Sequence, residues 1–312
     1  MNIVYLIGNG FDLNLDLKTS YNHFYDYYIS LPTENDSKVI SDFKKELWSE
    51  SDKWSYLEYQ LGKYLKKLNA DEAVLLHDHL IEQLSKYIAS EEEKYSFDDK
   101  QKNIFREHLN NPFKKLLPEE ISELNKYKSQ MNNSSPYIRI ITFNYTRIID
   151  NFGVDSSAIE HIHGFTDERM ILGVNDFSQI ENTELQKNTD VTDRFIKPAC
   201  NSTYRLGHEQ KCQQWITQAQ LICLFGLSFG DTDKNWWIEV GTALQRGCKV
   251  IIFEHNPKKT FNKNQGPALI AAEDKVKDYF LSKTNLDKDS MNSAKKNIYV
   301  AYNTDMFKLN AK

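Results

Sequence analysis

The sequence lacks the paired cysteines that a zinc ribbon or a disulfide framework needs. Its four cysteines, Cys200, Cys212, Cys223 and Cys248, form no CxxC pair, and structural zinc requires ligand pairs at close spacing. Scattered reduced thiols fit a cytoplasmic chain. Positive charge is also in short supply. There are 39 Lys and Arg against 44 Asp and Glu, a net charge of -5. A duplex nucleic-acid binder carries a basic surplus or stripe. Here only short pairs such as Lys44-Lys45, Lys66-Lys67 and Lys295-Lys296 occur, and these fit solvated helix faces. Long hydrophobic runs are missing too. Nothing approaches the roughly 20 apolar residues of a membrane span. The apolar run at residues 3–7 is too short for a signal peptide and has no basic leader. The expectation is a cytoplasmic protein without a membrane partner. No internal repeat or low-complexity segment is present.

What is abundant is core material. The chain is 40% hydrophobic, with 17 Tyr, 17 Phe and 5 Trp, where disordered chains are poor in aromatics. Residues 2–7 read as a buried strand, and Thr19-Ser20 can cap a helix that puts Phe24, Tyr27, Tyr28 and Leu31 on one face. From residue 36 to 131 the pattern is helical. Trp54, Leu57, Leu61, Tyr64, Leu65 and Leu68 make one stripe, and Ala73, Leu76, Leu80 and Leu84 another. Turn chemistry at 132–136 closes this region. Strand-like runs then fall at 137–143, 158–162, 170–174, 220–226, 249–254 and 297–302, with helical patterns at 232–246 and 266–283. Strands alternating with helices predict an α/β fold, a Rossmann-like and mainly parallel sheet with a large all-α insertion. The implied division is 1–31 plus 136–312 for the nucleotide-binding α/β domain and 32–135 for the helical insertion.

Four junctions carry residues suited to chemistry. Gly8-Asn9-Gly10-Phe11-Asp12 follows the first strand. Its glycines permit close backbone approach, and amides at a helix start favour phosphate. A dinucleotide fingerprint would need Gly at position 13, which is Leu13, and a P-loop ending is absent. Asn144 arrives where the strand ending near Phe143 stops, offering a donor and an acceptor to a ribose hydroxyl or water; an Asx turn is the plainer alternative. His161-Ile162-His163-Gly164 places two imidazoles on one strand face. His161 reads equally as a satisfied core residue, whereas His163 at the strand end can move protons, with Gly164 leaving an approach to it. Gly226 to Asp233 joins an apolar strand to a Trp-rich helix. There Ser228 could hold part of a nucleotide, and Asp231 and Asp233 could take ribose, a metal or simply a helix cap. No third ligand is spaced to complete a metal site with the histidines. Four such junctions in one chain argue for one composite site.

Several stretches together are similar to the AbiH abortive-infection family of bacterial phage-defence proteins. They are Ile7-Gly8-Asn9-Gly10-Phe11-Asp12-Leu13 with Leu17-Lys18-Thr19-Ser20-Tyr21, Trp54-Ser55-Tyr56-Leu57-Glu58, Thr142-Phe143-Asn144-Tyr145-Thr146, His161 to Gly164, Ile171 to Asp176, and Gly226 to Asp233. Leu227 departs from the family pattern, which often has His there. The family resembles, more distantly, the sirtuin-like NAD-binding fold. That resemblance implies Gly8, Asn9 and Gly10 at the NAD phosphates, Asn144 orienting ribose and the attacking water, His163 as the catalytic histidine, and Ser228 on the adenosine half. It implies NAD as substrate, cleaved by a glycohydrolase that depletes the cell of NAD, with no metal. Asp12 and Asp231 join the binding set, and Glu58 has no assigned role. Two other classes stay open: a non-catalytic nucleotide sensor using the same residues, and a metal-dependent nuclease using Asp231, Asp233 and Glu239. A phage-derived trigger and a homo-oligomer also stay open.

Overall fold

Alternate residues of the first strand are apolar on both sides, and this decides its place. In β1 (Asn2–Ile7), Ile3, Tyr5 and Ile7 enter one core while Val4 and Leu6 enter another. Burial on two faces is the mark of a parallel strand covered by helices. The computed structural model describes residues 1–34, 36–48, 57–131, 136–204, 207–261 and 265–309. Its other strands are β2 (Tyr137–Thr142), β3 (Ile159–His161), β4 (Leu221–Phe225), β5 (Lys249–Glu254) and β6 (Ile298–Tyr302). All pair in parallel in the order β3-β2-β1-β4-β5-β6. This is the doubly wound Rossmann-like order, which reverses between β1 and β4 and opens a crevice beyond the carboxyl ends of those strands. Ile7 is level with Thr142 on one side and with Phe225 on the other. The loops after β1, β2 and β4 therefore leave the sheet side by side.

Between β1 and β2 run α1 (Gly10–Asn14), α2 (Tyr21–Ser30), α3 (Lys38–Trp48), α4 (Leu57–Tyr64), α5 (Ala70–Glu92), α6 (Asp99–Asn110) and α7 (Pro118–Ser129). Between β3 and β4 lie α8 (Thr189–Phe195), α9 (Lys197–Tyr204) and α10 (His208–Gln218). Then come α11 (Lys234–Gln245), α12 (Gly266–Leu281) and α13 (Lys288–Lys295). Local chemistry accounts for several ends. The Ser20 side chain accepts the His23 N–H at the start of α2. Asn69 and Glu72 form a reciprocal capping box at α5, which satisfies two otherwise orphaned amides.

Three cores result. On one face of the sheet, Tyr5, Ile140, Cys223 and Ile251 meet Phe105 and Leu109 of α6, Leu124 of α7 and Phe307. On the other, Leu6, Ile141, Leu224 and Ile252 meet Trp215 of α10, Trp237 and Val240 of α11 and Phe280 of α12. The third joins helices to each other. Its members include the expected stripe of Ala73, Leu76, Leu80 and Leu84, together with Phe24, Leu57, Leu61, Leu172, Val174 and Phe195. The helices that follow β1 thus divide, α2 to α5 contributing to the third core while α6 and α7 cover the sheet.

Residues 170–174 differ from expectation. The apolar run there predicts a strand, but only Val174 bridges, to Ile196. Leu172 and Val174 instead bury their side chains among the helices, where their packing replaces a sheet ladder. Trp54, Ser55, Tyr56 and the turn residues Asn132 to Ser135 lie outside the described residues. Among the described residues no helix is long and apolar enough to cross a membrane.

Candidate functional site

The crevice is built first by glycines that let two loops touch. A Cβ on Gly10 would stand 2.4 Å from the Gly226 Cα, and one on Gly8 would stand 2.6 Å from the Gly226 carbonyl oxygen. Gly226 itself has φ +67°, a backbone region costly for residues with a side chain. The Gly8 N–H donates to the Phe225 carbonyl (2.9 Å) and the Gly10 N–H to that of Gly226 (3.0 Å). So these glycines weld the β1 and β4 turns together. Their two amides are engaged within the protein, and the turn contributes its shape rather than two open donors. Gly164 is similar: a Cβ there would meet the Arg169 carbonyl oxygen at 1.8 Å. The space beside it is filled by returning chain, and the approach to His163 lies elsewhere.

The wall below β1 and β2 is organised around Asp12. Its carboxylate is buried and accepts the Asn144 amide (2.9 Å) and the Thr146 hydroxyl (2.9 Å). Burial pushes its pKa up to about 7; the hydrogen bonds from Thr146 and Asn144 work against that shift, and Glu92 adds to it. The Asn144 carboxamide is thus held by its nitrogen. Its oxygen is buried and has no hydrogen-bond partner among the described residues, leaving one acceptor for a hydroxyl or a water. The Asn144 amide N–H bonds the Thr142 hydroxyl, a short-range turn that coexists with this placement.

The facing wall is organised around Asp233. Its Oδ1 lies 3.0 Å from His163 Nε2 and 2.8 Å from Lys197 Nζ. Lys197 in turn donates to Glu58 Oε2 at 2.8 Å. Burial acts to raise the Asp233 pKa, but Lys197 and then His163 outweigh it and hold the carboxylate well below its ordinary range. Burial acts to lower the Lys197 pKa, but Asp233 and Glu58 outweigh it and keep the ammonium charged. An ionised carboxylate only accepts, so the His163 Nε2–H donates to Asp233 and leaves Nδ1 as the ring nitrogen without that bond. Tyr145, stacked at an angle over His163 and bonded to the Ile171 carbonyl, and Tyr21, 3.5 Å from the Tyr145 hydroxyl, complete the wall. Burial first, and Glu58 next, push both phenols far up.

Gly8, Asn9, Gly10, Asp12, Asn144, His163, Ser228 and Asp231 all line one cleft of about 1250 Å³, large enough for a dinucleotide. The two histidines do not share a face. β3 ends at His161, which turns to Asp150 (3.1 Å) and the Phe165 ring and is satisfied in the core, while His163 lies beyond the strand. Asp233, whose plainest expectation was a helix cap, makes no side-chain cap. Asp231 pairs with Lys283 (2.8 Å), and Ser228 is exposed at the rim beside Tyr279. Asp231 and Asp233 thus each take a lysine, and Glu239 does not line the cleft. Among the described residues no cluster of metal-binding side chains occurs. Lys259, after β5, and Lys275, on α12, also line the cleft. Sequence reasoning missed Thr146 and Lys197 and left Glu58 without a role. Thr146 sits two residues after Asn144, a spacing that could have suggested a shared partner. Lys197 carries no local signal, being one among 39 Lys and Arg.

The family model described as bacteriophage abortive infection AbiH matches residues 4–254, which covers every junction described above except the far rim beyond β5. No curated protein matches the chain.

Proposed function

This chain belongs to the AbiH family of bacteriophage abortive infection, and we propose that within that defence role it hydrolyses NAD at the bond between nicotinamide and ribose. One observation carries the reading. An imidazole oriented by a half-buried carboxylate and a carboxamide with a buried oxygen unpaired among the described residues line the same cleft at the reversal point of the sheet.

The C1′–N1 bond breaks with both electrons leaving on neutral nicotinamide. The ribose becomes oxocarbenium-like. A water bonded to the Asn144 oxygen adds to C1′, and its proton passes to His163 Nδ1. The products are ADP-ribose, nicotinamide and a proton. Protonated His163 is matched by Asp233, which needs no rearrangement to stabilise it. Lys259 and Lys275, which line the cleft, supply charge for the phosphates in place of the engaged amides of Gly8 and Gly10. Adenosine then extends toward Ser228. The sirtuin-like resemblance supports the same assignment.

The test mixes purified protein with NAD and follows free nicotinamide, with and without a chelator and with and without lysate of phage-infected cells. Turnover abolished in both His163→Ala and Asn144→Ala, and indifferent to chelator, is the expected result. Saturable NAD binding with no nicotinamide released under any condition assigns the cleft to a sensor. Chelator-sensitive cutting of DNA or RNA assigns it to a nuclease.

A further inference from the structure

Four charged or ionisable groups from four distant segments form one chain, buried at all but the half-buried Asp233: Glu58 on α4, Lys197 at the start of α9, Asp233 before α11 and His163 after β3. Lys197 and Glu58 have side chains only 7% and 8% exposed. Neither reaches the imidazole directly. Burying two carboxylates and an ammonium costs heavily unless the arrangement is exact in charge and geometry, and a plain core would use hydrocarbon here. The Glu58 carboxylate is also aimed by a long contact from the Gly173 N–H (3.5 Å).

We propose that Lys197 and Glu58 are positioning residues for His163: Lys197 anchors Asp233 against the imidazole, and the balance of the two outer charges sets how tightly the imidazole holds a proton. The inference rests on the reading of His163 as the base. Its physics is a count of charge. With neutral His163 the chain carries Glu58 and Asp233 against Lys197, an excess of one negative charge. With His163 protonated the chain is neutral. Removing Glu58 alone makes the resting chain neutral and the protonated one positive, which disfavours the imidazolium. Removing Lys197 alone leaves two negative charges, which favours it. Other ionisable groups facing the chain include Tyr145 and Tyr21 in the cleft wall, Asp12 on the opposite wall, and Glu209 of α10 across a small cavity that it lines with His163, Lys197 and Asp233. Burial pushes the pKa of both phenols, of Asp12 and of Glu209 up; these groups are common to every variant, so the differences between variants follow the count above.

The test uses Glu58→Gln, Lys197→Gln and the double variant in the full chain. Two readouts are taken: the acid limb of the pH–rate profile for nicotinamide release, and the midpoint of the His163 ring titration followed by 15N NMR. Glu58→Gln is expected to move both to lower pH by on the order of one unit, Lys197→Gln to move both to higher pH by a similar amount, and the double variant, which restores one excess negative charge, to return them close to wild type. If Lys197→Gln does not fold, Glu58→Gln and the double variant decide the matter. Shifts of the two single variants in the same direction, or a ring titration that no variant moves, would overturn the proposal. A wild-type protein that releases no nicotinamide would end the NAD reading alone, because the ring titration still tests the coupling.

Discussion

The two walls of the cleft are each built on one aspartate, Asp12 buried and Asp233 half-buried, and they treat it in opposite ways. Asp233 has an ammonium and an imidazole against it and stays ionised far below the usual range. Asp12 has an amide and a hydroxyl, no cation, and is pushed up to about 7. Asp12 is 1% exposed and the Asp233 side chain 17% exposed, and burial acts to raise the pKa of both, so burial alone does not decide which carboxylate is charged. The partner decides: a neighbouring cation repays desolvation, and neutral donors repay only part of it. One wall is a fixed anion that orients an imidazole. The other is a group that changes charge close to neutral pH while holding the carboxamide.

The comparison can be broken most severely at Lys197. Lys197→Met strands the buried Glu58 and the half-buried Asp233 without their shared cation. Urea unfolding at pH 7 should show a loss of about 3–5 kcal/mol; a loss under about 1 kcal/mol would mean that this wall is solvated and the contrast false.

Asp12→Asn sharpens the other side. The folded pKa of Asp12 lies above its unfolded value of 3.8. Its carboxyl therefore contributes stability that is fully present below pH 3.8 and is lost as pH rises through about 7. The variant removes that dependence. The stability difference between wild type and Asp12→Asn should change by up to about 4 kcal/mol between pH 4 and pH 8, with the wild type losing ground as pH rises. A difference that stays flat with pH would show that Asp12 is ionised throughout, like Asp233.

The joint between the walls is tested by Gly10→Ala. Its methyl would collide with the Gly226 backbone, so a loss of about 1–3 kcal/mol by thermal unfolding is expected. An unchanged midpoint would show that the loops can part freely. The smallest effect belongs to Thr146→Val, which removes one donor to the Asp12 carboxylate. It should cost about 1–2 kcal/mol at pH 8, where the carboxylate is charged, and less at pH 5, where the proton is already bound. Equal costs at both pH values would count against the buried, titrating Asp12.

Local pattern made much of this legible. The two-residue alternation of strands, the stripe on α5 and the Ser20 cap are short-range properties, and they fixed the α/β class and the strand ends where Asp12, Asn144 and His163 emerge. Residues 170–174 are the instructive exception, because an apolar run says only that side chains will be buried, not whether a strand or a helix face will bury them. Sequence alone thus determined which chemistry-bearing side chains stand at the ends of strands, since periodicity is written in neighbours. Only the tertiary structure decided their charge and aim. Lys197 and Glu58 are 139 positions apart, and Asp12 is 132 from Asn144; no local pattern encodes which ion a buried carboxylate will meet, and that meeting sets its protonation.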